Sequence, residues 1–294
     1  MDWDGFDGLV RAHFEPLQYA AFFGALVLLG AIEGFLPLAR AGADRPRRWP
    51  ANAGLTALNI LVLGAMPVSV VAVADQAMAR GWGLLNQSFV PPLAALALGF
   101  AARSLIAYGI HVAMHKVPLL WRVHRVHHSD THMDVSTTVR FHPLEFVVST
   151  PILLALAVAL GIPPLALMLY EVFDAAMAVF THANARLPEP FDRALRLILA
   201  TPAMHRVHHS ADQRETDSNY GATFSWWDRL FGTYRMRPPG ELAAMNLGLA
   251  EWRGRRATAL AWLLAMPFVA PAAIASRHDP PEPAAESADG KSRP

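Results

Sequence analysis

The sequence predicts an all-α, integral-membrane helical bundle: three spans plus a helical hairpin, with a histidine-rich helical cap at one end. Three observations carry that expectation. The 294-residue chain is 53% hydrophobic and 17% charged, with a mean hydropathy of +0.26, whereas charge runs near a quarter in ordinary soluble domains. Apolar runs long enough to cross hydrocarbon as helices recur along it. Eight of the 13 histidines fall into three clusters at helical spacing.

Residues 1–16 read as a polar N-terminus, acidic on balance and so unlike the positive start of a cleavable signal peptide. The run 17–39 is apolar apart from Glu33 and forms the first expected span. The loop 40–48 carries Arg40, Arg45, Arg47 and Arg48 against Asp44 alone. The positive-inside rule makes this loop cytoplasmic and leaves the N-terminus outside. Residues 53–74 form an uncharged second span, and 93–110 a third, completing the transmembrane helices of 17–110. The third span delivers His111 and His115 to its cytoplasmic end. After a polar connector at 129–145, the stretch 146–170 is apolar again but interrupted by Gly-Ile-Pro-Pro at 161–164. Glycine with proline breaks a helix there, which gives a helical hairpin over 146–183 whose second limb carries Glu171 and Asp174. FDRALRLILA at 191–200 has the pattern of an interfacial helix on the inner leaflet. The aromatic stretch 218–235 packs over the histidines or meets headgroups. Residues 236–276 form a C-terminal amphipathic or membrane segment, with spanning and lying flat equally open for 257–276. The tail 277–294, rich in Pro, Ala, Ser and charge, reads as disordered.

With the formal net charge at +1, bulk electrostatics names no partner, and neither a nucleic-acid motif nor a continuous basic stripe is present. Cysteine is absent, which excludes disulfides, thiolate metal sites and cysteine-ligated iron–sulfur clusters. Any metal must be held by nitrogen and oxygen. Imidazole is the commonest protein metal ligand. His111 and His115 are four residues apart, so they share one helical face. His124, His127 and His128 follow as HRVHH, and the same five letters return as His205, His208 and His209. Neighbours such as His127 and His128 diverge by about 100° around a helix, so each HRVHH is suited to feeding two adjacent ions. Two ions with four or five ligands apiece need about eight to ten donors. The clusters supply eight, and His142 and His182 bring the set to ten.

The motifs HVAMH at 111–115, HRVHH at 124–128, RFHPLE at 140–145, HANARLP at 182–188, HRVHH at 205–209 and NYGATFSWWDRLFGTY at 219–234 together resemble the fatty acid hydroxylase / sterol desaturase superfamily of integral-membrane, non-haem diiron enzymes. The resemblance implies that 111–235 is a dimetal catalytic domain in the cytoplasmic (inner) membrane, with its site on the cytoplasmic face. It implies two iron ions, replaceable by zinc, and O₂ as cofactors, and a lipid substrate hydroxylated or desaturated at a C–H bond. With no redox domain visible, electrons are expected from a separate electron-transfer protein. By position, His111, His115, His124, His127, His128, His205, His208 and His209 match the ligand boxes, and His182 a further ligand. Some relatives carry another histidine one turn before that point, where this chain has Ala178, so His142, Asn184 or water is left for the tenth position. His132, Asn184, Asp130 and Asp212 are candidates to orient the imidazoles from behind. Arg103, two turns before His111, is read either as a headgroup sensor or as an ion-pair partner of Glu33. Two rivals are a membrane zinc hydrolase, for which no HExxH is present, and a metal transporter or sensor, whose ligands belong near the bilayer midplane.

Overall fold

The computed structural model describes residues 3–269. Among them the chain is helical, with isolated bridges such as Pro37 with Ala185 and no strand. Helix α1 (Trp3–Phe35) takes the polar start and the first apolar run into one rod. Arg11 ties it to α3 through Asp75 at 2.9 Å. The second expected span is divided into α2 (Arg45–Ala65) and α3 (Val70–Ala79). Pro67 offers no N–H and forces Met66 into an extended conformation. The Ser69 hydroxyl then caps the next helix by accepting the Ala72 N–H at 3.4 Å.

Helix α4 (Pro92–Lys116) runs into α5 (Pro118–His128) through a single extended residue, Val117, held there by the proline that follows it. This tight turn folds α5 back beside the end of α4 and brings its histidines to His111 and His115. A 3₁₀ turn at Val135–Val139, with Asp134 and Thr137 forming a reciprocal cap, leads to α6 (Pro143–Leu160) and α7 (Pro164–His182). The hairpin break lies where Gly-Ile-Pro-Pro places it. Gly161 adopts φ +68°, and a Cβ there would stand 2.9 Å from the Trp82 carbonyl oxygen, so both conformation and space require glycine.

Shorter helices follow: α8 (Glu189–Leu195), α9 (Pro202–His208), α10 (Gln213–Thr216), α11 (Trp226–Leu230), α12 (Pro239–Leu242) and α13 (Leu260–Ala265). Leu263 and Met266 are fully buried against Leu55, Val126 and Trp252. The Arg125 guanidinium donates to the carbonyls of Met266 and Val269. The described part of 257–276 is therefore a docked helical turn, while the rest of that segment and the tail at 277–294 lie outside the described residues.

Five helical stretches are long and apolar enough to cross a membrane: Gly5–Phe35, Arg45–Ala79, Pro92–Lys116, Pro143–Leu160 and Pro164–His182. Their outward side chains include Val27, Ile60 and Leu61, each more than 60% exposed. Such a surface needs hydrocarbon around it, and the chain is an integral membrane protein. Arg103 is paired with Glu171 at 2.7 Å, not with Glu33. Glu33 instead accepts the backbone N–H groups of Val135 (2.8 Å) and Asn184 (2.6 Å). It thereby joins α1 to the two loops that flank the histidines.

Candidate metal centre

Four chain segments converge at one end of the bundle: the end of α4, α5, the end of α7, and α9. They assemble two groups of imidazoles. His111, His115, His124, His128 and His208 form one, and His127, His182, His205 and His209 the other, with one ring nitrogen of each residue within 4.8 Å of those of its group. Both doublets divide. His127 goes to the second group and His128 to the first, while His208 goes to the first and His209 to the second, as a 100° divergence around each helix requires. The i, i+4 pairs stay together: His111 with His115, His124 with His128, His205 with His209.

The spacing suits a shared cation. The Nε2 atoms of His111 and His124 stand 3.1 Å apart, those of His111 and His208 3.1 Å. In the second group the separations are 3.1 Å (His127 to His182), 3.0 Å (His182 to His205) and 3.2 Å (His205 to His209). Ligand nitrogens about 2.0–2.1 Å from one ion stand roughly 3.0–3.4 Å apart at octahedral to tetrahedral corners. The Nε2 atoms of His115 and His128 are buried without a hydrogen-bond partner. A buried unsatisfied nitrogen is costly, and a metal ion would satisfy these lone pairs. The two groups touch through the His128 and His209 rings, stacked with centroids 4.6 Å apart.

The imidazoles are oriented from behind. His124 Nδ1–H donates to Glu145 at 2.8 Å. His111 Nδ1–H donates to the Tyr220 carbonyl (2.6 Å), His208 Nδ1–H to that of Ser218 (2.6 Å) and His182 Nδ1–H to that of Ala178 (2.7 Å). With the proton fixed on Nδ1, the Nε2 lone pair is free for a metal. The Ser218 and Tyr220 loop is itself held by Asp228, whose carboxylate accepts the N–H of Tyr220 (2.7 Å) and Gly221 (2.9 Å). Phe141 stacks on His127 at 4.3 Å, and Trp121 packs on His115 at 4.9 Å.

The remaining sequence candidates lie elsewhere. His142 joins neither group: its Nδ1 accepts the Leu144 N–H at 3.1 Å, capping α6, and its Nε2 lies 3.2 Å from the Leu264 carbonyl. Asn184 clamps Ala39, accepting its N–H at 3.0 Å and donating to its carbonyl at 2.8 Å. His132 is partly exposed and sits 3.2 Å from Asp44. Asp212 caps α10 through the Arg214 N–H at 2.9 Å. Asp130 is paired with Arg48 at 2.7 Å. None of these side chains is hydrogen-bonded to a grouped imidazole. The backbone carbonyls that do that work have no sequence signature, because every residue owns one. Glu145 was visible as an acid within the RFHPLE motif.

Burial, followed by neighbouring imidazoles, pushes His127, His128, His205 and His209 well below the ordinary histidine value, and burial drives His208 down to about 3. These rings are neutral near neutral pH. In chelator-stripped protein, the unfolded chain takes up protons below about pH 6.5 while the folded chain does not. Stability is then fully present above that value and declines as pH falls toward the folded-state values. Thermal unfolding of the stripped protein should show a flat melting temperature above about pH 7 and a steady fall below about pH 6. A melting temperature unchanged across that range would contradict the buried, neutral state.

Bundle and site together define an integral-membrane helical protein whose histidine clusters are capable of binding metal. Residues 96–233 match the fatty acid hydroxylase family, and through this region the chain belongs to it. Curated relatives include ornithine lipid hydroxylase OlsE of Rhizobium tropici, 30% identical over 207 residues, covering 69% of this chain and 58% of that protein. Human (Homo sapiens) alkylglycerol monooxygenase is 32% identical over 130 residues, 43% of this chain and 27% of that one. Cholesterol 25-hydroxylase of Rattus norvegicus is 25% identical over 232 residues, 76% of each. The chain thus spans less than two thirds of the first two relatives. No solved structure matches the chain.

Proposed function

We propose that this protein hydroxylates a C–H bond of a membrane lipid, using O₂, two metal ions held by nine histidines, and electrons from a separate protein. The observation that carries the reading is the pair of adjoining all-imidazole groups at the end of apolar, membrane-length helices. Nitrogen-only donors suit iron or zinc, and iron in these positions would supply O₂ activation. The protein's own part is to hold Nε2 atoms in place through Glu145 and the carbonyls of Tyr220, Ser218 and Ala178. Phe141 and Trp121 keep water from the rings, and a dry site protects a reactive oxidant. In the overall reaction one oxygen atom enters the C–H bond and the other leaves as water, with two electrons supplied by the donor and two protons by solvent. The relatives' names, hydroxylases and monooxygenases of lipids, favour hydroxylation over desaturation.

The test is purified protein with lipid extract, isotope-labelled O₂, and a reduced ferredoxin or cytochrome. The expected result is a lipid heavier by one labelled oxygen, formed only when the donor is present. A lipid product formed without any electron source and carrying no labelled oxygen would mean hydrolysis and defeat the oxygenase reading.

The site is further proposed to face the cytoplasm, on the strength of the arginine-rich loop 40–48 and the positive-inside rule. Ala41 is exposed in that loop and the chain has no cysteine. A cysteine placed at Ala41 should escape an impermeant thiol reagent in intact cells and react once the membrane is opened. Labelling in intact cells would invert the topology.

A further inference from the structure

On the face of α9 turned away from the histidines lies a cavity of about 730 Å³ lined by Arg40, Arg186, Arg206, Arg253 and His132, with no Asp or Glu in its wall. His205 and Arg206 are adjacent on α9 and diverge like the doublets. His205 turns to the imidazoles, whereas Arg206 is 5% exposed and donates its Nε–H to the Leu242 carbonyl at 2.7 Å. Among the described residues no carboxylate lies within ion-pair distance of any of these four arginines. Arg186 reaches only the Leu38 carbonyl, at 3.3 Å. The Nη2 of Arg253 is buried without a partner. Of the other buried arginines, Arg48 and Arg103 have carboxylates at 2.7 Å or closer, while Arg140 has four neutral partners in Val126, Asn52, Ser129 and Ala257, where the Arg206 side chain has one. Arg206 is buried, Arg253 half-buried, and Arg40 and Arg186 exposed at the rim. A buried cation without a counter-charge is unfavourable, and four cations around one cavity with no acid in its wall favour an anion.

The surroundings indicate which kind. A second cavity of about 560 Å³ adjoins the first, sharing Leu38, Arg186 and Ala243, and is walled by Leu36, Leu187 and Met236. Its two acids, Glu189 and Asp192, are already paired with Arg193 (2.8 Å) and Arg196 (2.6 Å). Phe35 and Leu36, at the end of the first membrane-length helix, are 85% and 60% exposed beside it. A basic hollow continuous with an apolar one, at the level where the helix leaves the bilayer, matches an amphiphile with an anionic head. We propose that the arginine cavity binds the phosphate headgroup of an anionic membrane lipid, with one acyl chain lying in the adjoining apolar cavity. This lipid is bound apart from the metal centre and is not the molecule being oxidised.

The test uses the full-length, metal-loaded protein in detergent and compares dioctanoyl phosphatidic acid, dioctanoylglycerol and inorganic phosphate as ligands by native mass spectrometry and competition. Phosphatidic acid should bind saturably, and dioctanoylglycerol, which lacks only the phosphate, at least about tenfold more weakly. Arg206→Gln should cost phosphatidic acid about tenfold or more. The double variant Arg186→Gln/Arg253→Gln alters less buried side chains, should leave metal content unchanged, and should lose affinity to the same extent. Equal binding of the two lipids, or undiminished affinity in the double variant, would overturn the proposal. Inorganic phosphate binding as tightly as the lipid would assign the cavity to a free anion, adventitious or metabolic. Displacement of the lipid by an acidic ferredoxin whose own binding fails in the double variant would assign it to protein docking. Binding is read directly, so failure of the oxygenase reading would leave this result standing.

Discussion

Replacing His209 with alanine is expected to remove about one of two bound metal ions, while replacing its neighbour His208 leaves the count closer to two, both variants losing at least about a hundredfold in lipid oxidation. The asymmetry follows from the groups. His209 belongs to a set of four and His208 to a set of five. Loss of His209 leaves three imidazoles for its ion, and loss of His208 leaves four, enough for a closed tetrahedral set. The activity estimate is a lower bound, because even the partners behind metal ligands cost about 10–100-fold when removed. Glu145→Ala, which frees the Nδ1 of His124, should fall in that 10–100-fold range with both ions retained. Metal analysis after dialysis against a weak chelator, beside donor-dependent turnover, separates these outcomes. A single metal per chain in fully active wild-type protein would defeat the two-ion reading, as would identical metal loss from both alanine variants.

The division of the doublets shows what kind of information the sequence carries about this site. Angular position on a helix depends only on residue number, so the separation of His127 from His128 was legible before any fold was known. The hairpin break was legible for a similar reason, since Gly161 and the prolines after it act locally. What was not legible depends on partners brought together from afar. Arg103 pairs with Glu171, 68 residues away, and not with Glu33. His142 fits a ligand-rich reading of RFHPLE, yet its place before Pro143 makes it a helix cap that turns to the Leu264 carbonyl. Asp130 follows a histidine doublet by two positions and looked like a support for it; Arg48, 82 residues earlier, claims it instead. The break between α2 and α3 had a local signal, Pro67 with Ser69, that the uniform hydropathy of the run obscured.

The frame behind the histidines depends on that last pairing. Replacing Arg48 with alanine is expected to destabilise the protein by about 3–5 kcal/mol, the range for removing one partner of a buried ion pair. The Arg48 side chain is 1% exposed and donates to Asp130 at 2.7 Å and to Asp134 at 2.6 Å, which are 1% and 8% exposed. Asp130 lies just past His128, and Asp134 caps the 3₁₀ turn whose Val135 N–H binds Glu33. Although burial pushes the Asp130 carboxyl up, Arg48 and Arg140 hold it below its ordinary value, so it is charged near neutral pH. Without Arg48, Trp49 (Nε1–H at 3.1 Å), the turn's own donors and a distant, partly exposed Arg45 (3.9 Å) remain for Asp134, and Thr137 at 2.9 Å for Asp130. None of these replaces the buried guanidinium fork. The loop after α5 should then loosen and weaken metal retention in both groups, since α5 serves both. Arg48→Lys, with charge but no fork, should fall between wild type and alanine. Adding Asp130→Asn and Asp134→Asn to Arg48→Ala should recover part of the loss, because the stranded charges are gone. Denaturant unfolding in detergent measures all of these, and a cost below about 1 kcal/mol for Arg48→Ala would show that the pair behaves like an exposed one.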